Sequence, residues 1–233
     1  MNNQKNIEKG KGLKIDLHTH SSWSFDGGIT KKQYKYILEE GILDFIAITD
    51  HNETRFARAL HEEIGEKIIV GEEIKTQEGD IIGLFLTKTI PSGLPVKEAV
   101  QEIRGQGGLV YIPHPFETGR SSLQTETLKE IIEKVDIIET FNGRGRWRGK
   151  PALSEQTASE HKVVIAASSD AHSLLGIGTA FSIVKKRPDR ESMVLLLREG
   201  NLQKNHAPFI SLLYPSINKI KNKLFLTRST LEN

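Results

Sequence analysis

Histidine and carboxylate side chains spaced two residues apart can grip one cation, and this chain of 233 residues places such pairs at the ends of short apolar runs. Leu17-His18-Thr19-His20 closes the first run, and Ser169-Asp170-Ala171-His172 follows a later one. In extended chain, residues i and i+2 point the same way. His18 with His20, and Asp170 with His172, can therefore each face one ion. Asp16 shares the His18 face one step deeper, where it could orient that imidazole. Between the two pairs stand Thr49-Asp50-His51, Glu72-Glu73, Pro113-His114-Pro115 and Phe141-Asn142, each after an apolar run. Five of the eight histidines occupy such positions, a bias that scattered histidines would not show. Asp50 and Glu72 read as structural neighbours, and His61, His161 and His206 as surface residues.

The runs that must position these groups are LKIDL (13–17), DFIAI (44–48), KIIVG (67–71), LVYI (109–112), VDIIET (135–140), KVVIAA (162–167) and AFSIV (180–184). They are short, β-branched and nearly continuous, which suits strands buried on both faces. Helices are expected between them. One spans 30–40, capped by Thr30 and stopped at Gly41; another spans 95–106, opening at Pro95 and closing near Gly107. Further helices are expected near 53–64, 124–134, 151–161 and 189–199. Residues 81–87, after the turn-like Glu78-Gly79-Asp80, read as an extra strand in a hairpin with the third run. Repeated strand–helix alternation fits either a closed α/β barrel or an open doubly wound sheet. In both, chemistry sits at the carboxyl ends of the strands.

Composition narrows the chemistry. The chain has no cysteine, which excludes disulfides and thiolate metal sites, so any ion must be held by His, Asp and Glu. The net charge of +2 is uneven: residues 201–233 hold Lys204, Lys219, Lys221, Lys223 and Arg228 against Glu232. The preceding body is slightly acidic and offers no long basic groove for nucleic acid. No window approaches a membrane span and the first residues lack an apolar leader, so a cytoplasmic protein is expected.

The motifs LHTHS, TDH, GEEI, PHP, IETFN and SSDAH, in this order, resemble those of the PHP (polymerase and histidinol phosphatase) superfamily over residues 13 to 184. The resemblance implies a distorted seven-stranded (β/α) barrel, TIM-like, with a metal site at the carboxyl ends of the strands. Residues 13–200 would form that barrel, 1–12 a disordered lead, and 201–233 a basic extension packing on the barrel with its lysines outward. It also implies two or three divalent ions (Mn, Zn or Fe). One would take His18, His20, Glu73 and Asp170. A second would share Glu73 and use His114, and a third would use Asp26, His51 and His172. Asp170, His172 and His51 are the catalytic candidates among them. Asp26 stands where many members have histidine. Asn142 stands where the fullest three-metal members have another ligand, which puts the second ion in doubt.

Phosphate monoesters need accelerations of up to ~10²¹, far above the roughly 10²–10⁴ of a positioned general base, and clustered cations can cover the gap. Substrate phosphate also needs protein cations. Asn142-Gly143-Arg144-Gly145-Arg146-Trp147-Arg148-Gly149-Lys150 supplies several; the resemblance, in which members similar to nucleotide phosphatases often place arginine two residues after that asparagine, makes Arg144 the first candidate, with Asn142 beside it, and Arg120 is the second. Trp147 could stack a base. The expected function is hydrolysis of a small phosphomonoester, with a nucleotide among the candidates. The alternatives are a phosphodiesterase or exonuclease on short oligonucleotides, an amidohydrolase-type hydrolase, and a non-catalytic metal-binding regulatory module. No membrane contact, stable nucleic-acid complex or obligate protein partner is expected.

Overall fold

The computed structural model describes residues 12–229. Apart from residue 12, the lead expected to be disordered lies outside the described residues. Among those described, nine strands form one sheet: β1 (Leu13–Thr19), β2 (Phe45–Ile48), β3 (Ile68–Lys75), β4 (Asp80–Leu84), β5 (Leu109–Ile112), β6 (Ile137–Asn142), β7 (Val164–Ser168), β8 (Ala180–Val184) and β9 (Asn201–Lys204). Their order is β7-β6-β5-β4-β3-β2-β1-β8-β9. The expected seven-stranded barrel is thus corrected to a mixed sheet of nine. β1/β2, β2/β3, β5/β6 and β6/β7 pair in parallel, while β3/β4, β4/β5, β1/β8 and β8/β9 are antiparallel.

Connection length explains the difference. Residues 76–79 between β3 and β4 are too few for a parallel crossover, which needs a dozen or more residues. The chain must therefore double back, and Gly79, at φ +148°, makes the turn. β8 follows β7 without an intervening helix and returns antiparallel along the amino half of β1, pairing Leu13 with Val184 and Ile15 with Ser182. At the carboxyl half, Thr19 bridges Ala171 in parallel, and His20 N donates to Ala171 O at 2.9 Å. These contacts bring the two ends of the parallel run together, and the sheet is nearly closed.

The helices are α1 (Lys31–Glu39), α2 (Arg55–Ile64), α3 (Val96–Gly105), α4 (Thr125–Ile131), α5 (Pro151–His161), α6 (Met193–Arg198) and α7 (Tyr214–Ser229). Thr30 caps α1 in a reciprocal box with Gln33, and the helix buries Tyr34, Ile37 and Leu38. One apolar cluster packs such helix faces against the sheet. A second gathers Ile15, Leu17, Ala47, Ile69, Tyr111 and Ile137 from the strands. By the two-residue period, Ile69 shares its face with Glu73, and Ile137 with Glu139. The apolar layer thus lies beneath the polar groups at the carboxyl ends.

The extension meets the barrel by polar residues, with Lys219, Lys221 and Lys223 exposed. Ser211, Pro215 and Asn218 are buried and Asn222 is half-buried, whereas Ile217, Ile220 and Leu224 are exposed. Among the described residues, no helix is long and apolar enough to cross a membrane.

Candidate metal centre

Each chemistry-bearing group sits at or just past the end of a strand. His18 lies one residue before the end of β1, at a bulge where the register with β2 slips by one residue between Asp16 and Thr19. His20 follows it, Glu73 lies on β3, and His51 follows β2 and bridges Glu73. His114 follows β5, Asp170 and His172 follow β7, and Asp26 comes from the turn after β1. His114 and Asp170 both have left-handed backbone, at φ +31° and +52°. Strained backbone of this kind persists where surrounding contacts hold it, as at functional sites.

The inner side chains converge closely. His18 Nε2 lies 3.1 Å from His20 Nε2, and both face Glu73 Oε2, at 3.4 and 3.3 Å. Asp170 Oδ1 stands 3.6 Å from His18 Nε2 and 3.5 Å from His20 Nε2. On the other oxygen of Glu73, His114 Nε2 sits at 3.1 Å. Farther out, His51 Nε2 and His172 Nε2 flank Asp26 at 3.6 and 3.5 Å, and His51 Nδ1 is 3.2 Å from Glu73. Three sets each bring their ligand atoms within 4.8 Å of one another: His20/Asp26/His51/His172, His18/His20/Asp170 and His18/Glu73/His114. Ligands about 2.0–2.2 Å from one ion lie roughly 3–3.5 Å apart, so the donor spacing fits divalent cations. All eight residues expected as ligands meet here.

Charge supports the same fit. Burial opposes protonation of His20, but hydrogen bonds to Asp170 and Glu73 outweigh it and raise the imidazole to about 9. Burial likewise disfavours the Glu73 carboxylate, yet His51, His18 and His114 hold it well below its usual range. Asp170 is buried too and is held low by Arg144, Arg120 and His18. Carboxylates this strongly ionised, set among imidazoles, form a site in which a metal ion can take the place of protons. His172 is the contrast: burial and the Arg144 charge push it down to about 3, leaving the neutral ring a metal ligand needs.

The arginines lie against the same carboxylate. Arg120 Nη1 donates to Asp170 Oδ2 at 2.7 Å, and Arg144 Nη1 lies 3.3 Å from Asp170 Oδ1 and 3.1 Å from His172 Nδ1. Asn142 is engaged internally. Its Nδ2 donates to Glu139 Oε2 at 2.8 Å and Asp170 Oδ2 at 3.2 Å, and its Oδ1 accepts from Arg144 N at 2.9 Å. Arg148 borders the cavity above the centre, about 390 Å³ in volume, while Trp147 faces outward against Phe209 with ring centroids 5.3 Å apart.

Around the centre, some residues act otherwise than the sequence suggested, and others were not singled out by it. Asp16 does not reach the His18 ring; its Oδ1 accepts from His18 N and Ser169 N at 3.3 and 3.1 Å, tying β1 to β7. Glu139 orients the ring instead. Its Oε1 lies 3.3 Å from His18 Nδ1 and accepts from the Tyr111 hydroxyl at 2.8 Å, while its Oε2 accepts from His114 N at 2.7 Å. The signal available was Glu139 itself, inside an apolar strand. Asp50 binds Ser21 and Glu72 accepts from Ile90 N, the structural roles expected of both. Asp80 borders the cavity, and burial together with the Glu73 charge raises its carboxyl to about 7. From α7, Asn218 Nδ2 donates to Asp26 O at 2.9 Å and His172 O at 3.1 Å, and Lys219 Nζ is 3.9 Å from Asp26 Oδ2. Gly28 permits this approach, since a Cβ there would stand 2.7 Å from Asn218 Nδ2.

No family model matches the chain. Two proteins of Methanocaldococcus jannaschii do. The uncharacterized protein MJ0417 is 34% identical over 175 residues, 72% of this chain and 69% of that protein. The uncharacterized protein MJ1587 is 34% identical over 147 residues, 57% of this chain and 85% of that protein. Among solved structures, a two-domain protein of Bacteroides vulgatus, described as containing a predicted PHP-like metal-dependent phosphoesterase, matches with a TM-score of 0.64 and 22% identity, over 89% of this chain and 69% of that one. Endonuclease Q, in complex with a 27-mer duplex carrying an abasic lesion, matches with a TM-score of 0.61 and 16% identity, over 82% of this chain and 58% of that one.

Proposed function

Since the chain belongs to one family with the two Methanocaldococcus jannaschii proteins and has the PHP-type fold, we propose that it is a metal-dependent phosphoesterase hydrolysing a small phosphomonoester. The observation that carries this reading is that His18 and His20 each face both Glu73 and Asp170, at 3.3 to 3.6 Å, with Arg120 and Arg144 on the same aspartate. His18, His20, Glu73, His114 and Asp170 would hold inner divalent cations, and Asp26, His51 and His172 an outer one. Bound there, the ions supply Lewis acidity and neutralise phosphoryl charge.

The protein's own groups do the rest. Arg120 and Arg144 reach the cavity side of Asp170, where their guanidinium groups can turn to bind phosphate oxygens in pairs. Glu139 holds the His18 ring through Nδ1, which fixes Nε2 toward the cation site. Asn142 joins Glu139 to Asp170 and keeps the arginine loop in register with the carboxylate. The cavity, at about 390 Å³, is of a size for one phosphate with a nucleoside-sized group. Manganese, zinc and iron all suit a His and carboxylate donor set.

A second reading, phosphodiester cleavage in short oligonucleotides, is favoured by the likeness to Endonuclease Q. The test is release of phosphate from an aryl phosphate with added Mn²⁺, run beside digestion of a labelled trinucleotide. The proposal expects monoester turnover that a chelator abolishes and Mn²⁺ restores. Stepwise trinucleotide cleavage without monoester turnover would replace it with the second reading. Full turnover after metal removal would refute both.

A further inference from the structure

The C-terminal segment presents its polar side to the barrel and its apolar side to solvent. Ser211, Pro215, Asn218 and Asn222, at spacings of four, three and four, face inward, and both asparagines are tied down. Asn222 Nδ2 lies 3.2 Å from both Ser24 O and Phe25 O, and Asn218 makes the two bonds described above. These contacts fix the rotation of α7. Ile210, Leu213, Ile217, Ile220 and Leu224 follow a three–four spacing on the opposite side, and all are at least half exposed. Phe209 and Trp147 widen the stripe sideways, Trp147 being 73% exposed.

An exposed stripe this long needs an occupant. Its three–four spacing alone would suit a helical seam with a second copy. Lys221 and Lys223, however, lie on either flank, so two copies would set lysine against lysine. Residues 209–224 contain no Asp or Glu, and neither does the 142–150 loop that carries Arg146, Arg148 and Lys150 beside Trp147. The patch also spreads over a loop, the 3₁₀ turn Phe209–Leu213 and α7, which makes it broader than one helix-wide seam. Apolar side chains beside an exposed tryptophan, with lysines and arginines but no acid in the same stretches of sequence, suit the headgroup interface of an anionic membrane.

We propose that this face of the protein docks on an anionic lipid surface, through the apolar stripe 209–224 and Trp147 with the flanking lysines and arginines. α7 also borders the candidate metal centre through Pro215, Ser216 and Lys219, so docking would set the cavity mouth beside the bilayer. Peripheral attachment of this kind departs from the expectation of no membrane contact, and vesicle binding decides between the two. This inference does not depend on which ester the centre cleaves.

The test is co-sedimentation of the full chain with phosphatidylcholine vesicles, with and without phosphatidylserine. The intact protein is expected to sediment with the phosphatidylserine vesicles only, and high salt should release it. The variant Ile217→Ser/Ile220→Ser/Leu224→Ser should bind at least about tenfold more weakly. Lys221→Glu should weaken binding severalfold while leaving the apolar stripe intact. Both variants should keep the intact protein's melting temperature and its turnover of a soluble aryl phosphate, which separates failure of docking from failure of the phosphoesterase reading. Absence of binding to phosphatidylserine vesicles would overturn the proposal, as would equal binding to neutral ones. A solution dimer that the isoleucine variant splits would assign the face to a second copy instead.

Discussion

The inner group of the candidate centre, His18, His20, Glu73, His114 and Asp170, and the outer group, Asp26, His51 and His172, use the same residue types but are held by different means. The inner side chains are buried and ride on or directly beyond β1, β3, β5 and β7, whose ladders place them. Glu139, from β6, braces two of them through the His18 ring and the His114 backbone. The outer group draws Asp26 from a turn, and Asn218, nearly two hundred residues later in sequence, holds Asp26 to His172 through their carbonyls. Sheet geometry therefore makes the inner site, while the outer site depends on a helix docked from the end of the chain.

That contrast can be broken at graded cost. Asp170→Asn removes a carboxylate shared by the inner imidazoles and both arginines, and turnover is expected to fall by at least about 10³-fold. Metal analysis should show loss of inner-site ions, with little change in melting temperature. Glu139→Gln keeps the shape but lowers the basicity given to His18, so metal affinity and turnover should each fall about 10–100-fold. Asn218→Ala should sharpen the comparison most. About one equivalent of bound metal is expected to be lost and turnover to drop about tenfold, while inner-site occupancy, read by titration calorimetry, stays intact. Equal loss from both groups would show that α7 supports the whole centre.

The smallest effect concerns Asp80 in the metal-free protein. Its carboxyl is raised to about 7 in the folded state, so the folded chain holds a proton that the unfolded chain releases above about pH 4. Stability from this group is complete below that pH and is lost as pH rises toward 7. Asp80→Asn should remove this slope, raising the melting temperature at pH 7.5 by a few degrees and changing it little at pH 4. Thermal unfolding in chelator at the two pH values is the measurement.

Much of this molecule could be read from local chemistry. Thr30 with Gln33 marks the start of α1, and Glu78-Gly79-Asp80 marks the β3/β4 reversal. His18-x-His20 and Asp170-x-His172 were placed at strand ends by the apolar runs before them. Strand direction was less legible. The run 180–184 looks like another parallel strand, and only its pairing against Leu13–Ile15 shows that it returns the other way. β9 carries no apolar signal, since Asn201–Lys204 is an edge strand with its ends exposed. Asp16 and Glu139 show the same limit within the site. Both are acids inside apolar strands, and the bulge in β1 and the position of β6 decide that Glu139 meets the His18 ring.

The amino-acid sequence by itself determined which donors the centre could use and that they would lie at strand ends, because residue type and a two-residue period are local properties. Tertiary structure alone decided how those donors divide into groups, which acid braces which imidazole, and which side of α7 faces out. Those outcomes depend on strand order, on a one-residue slip of register and on hydrogen bonds from Asn218 to carbonyls far away in the chain. Distances between remote segments are not encoded in any single stretch of residues.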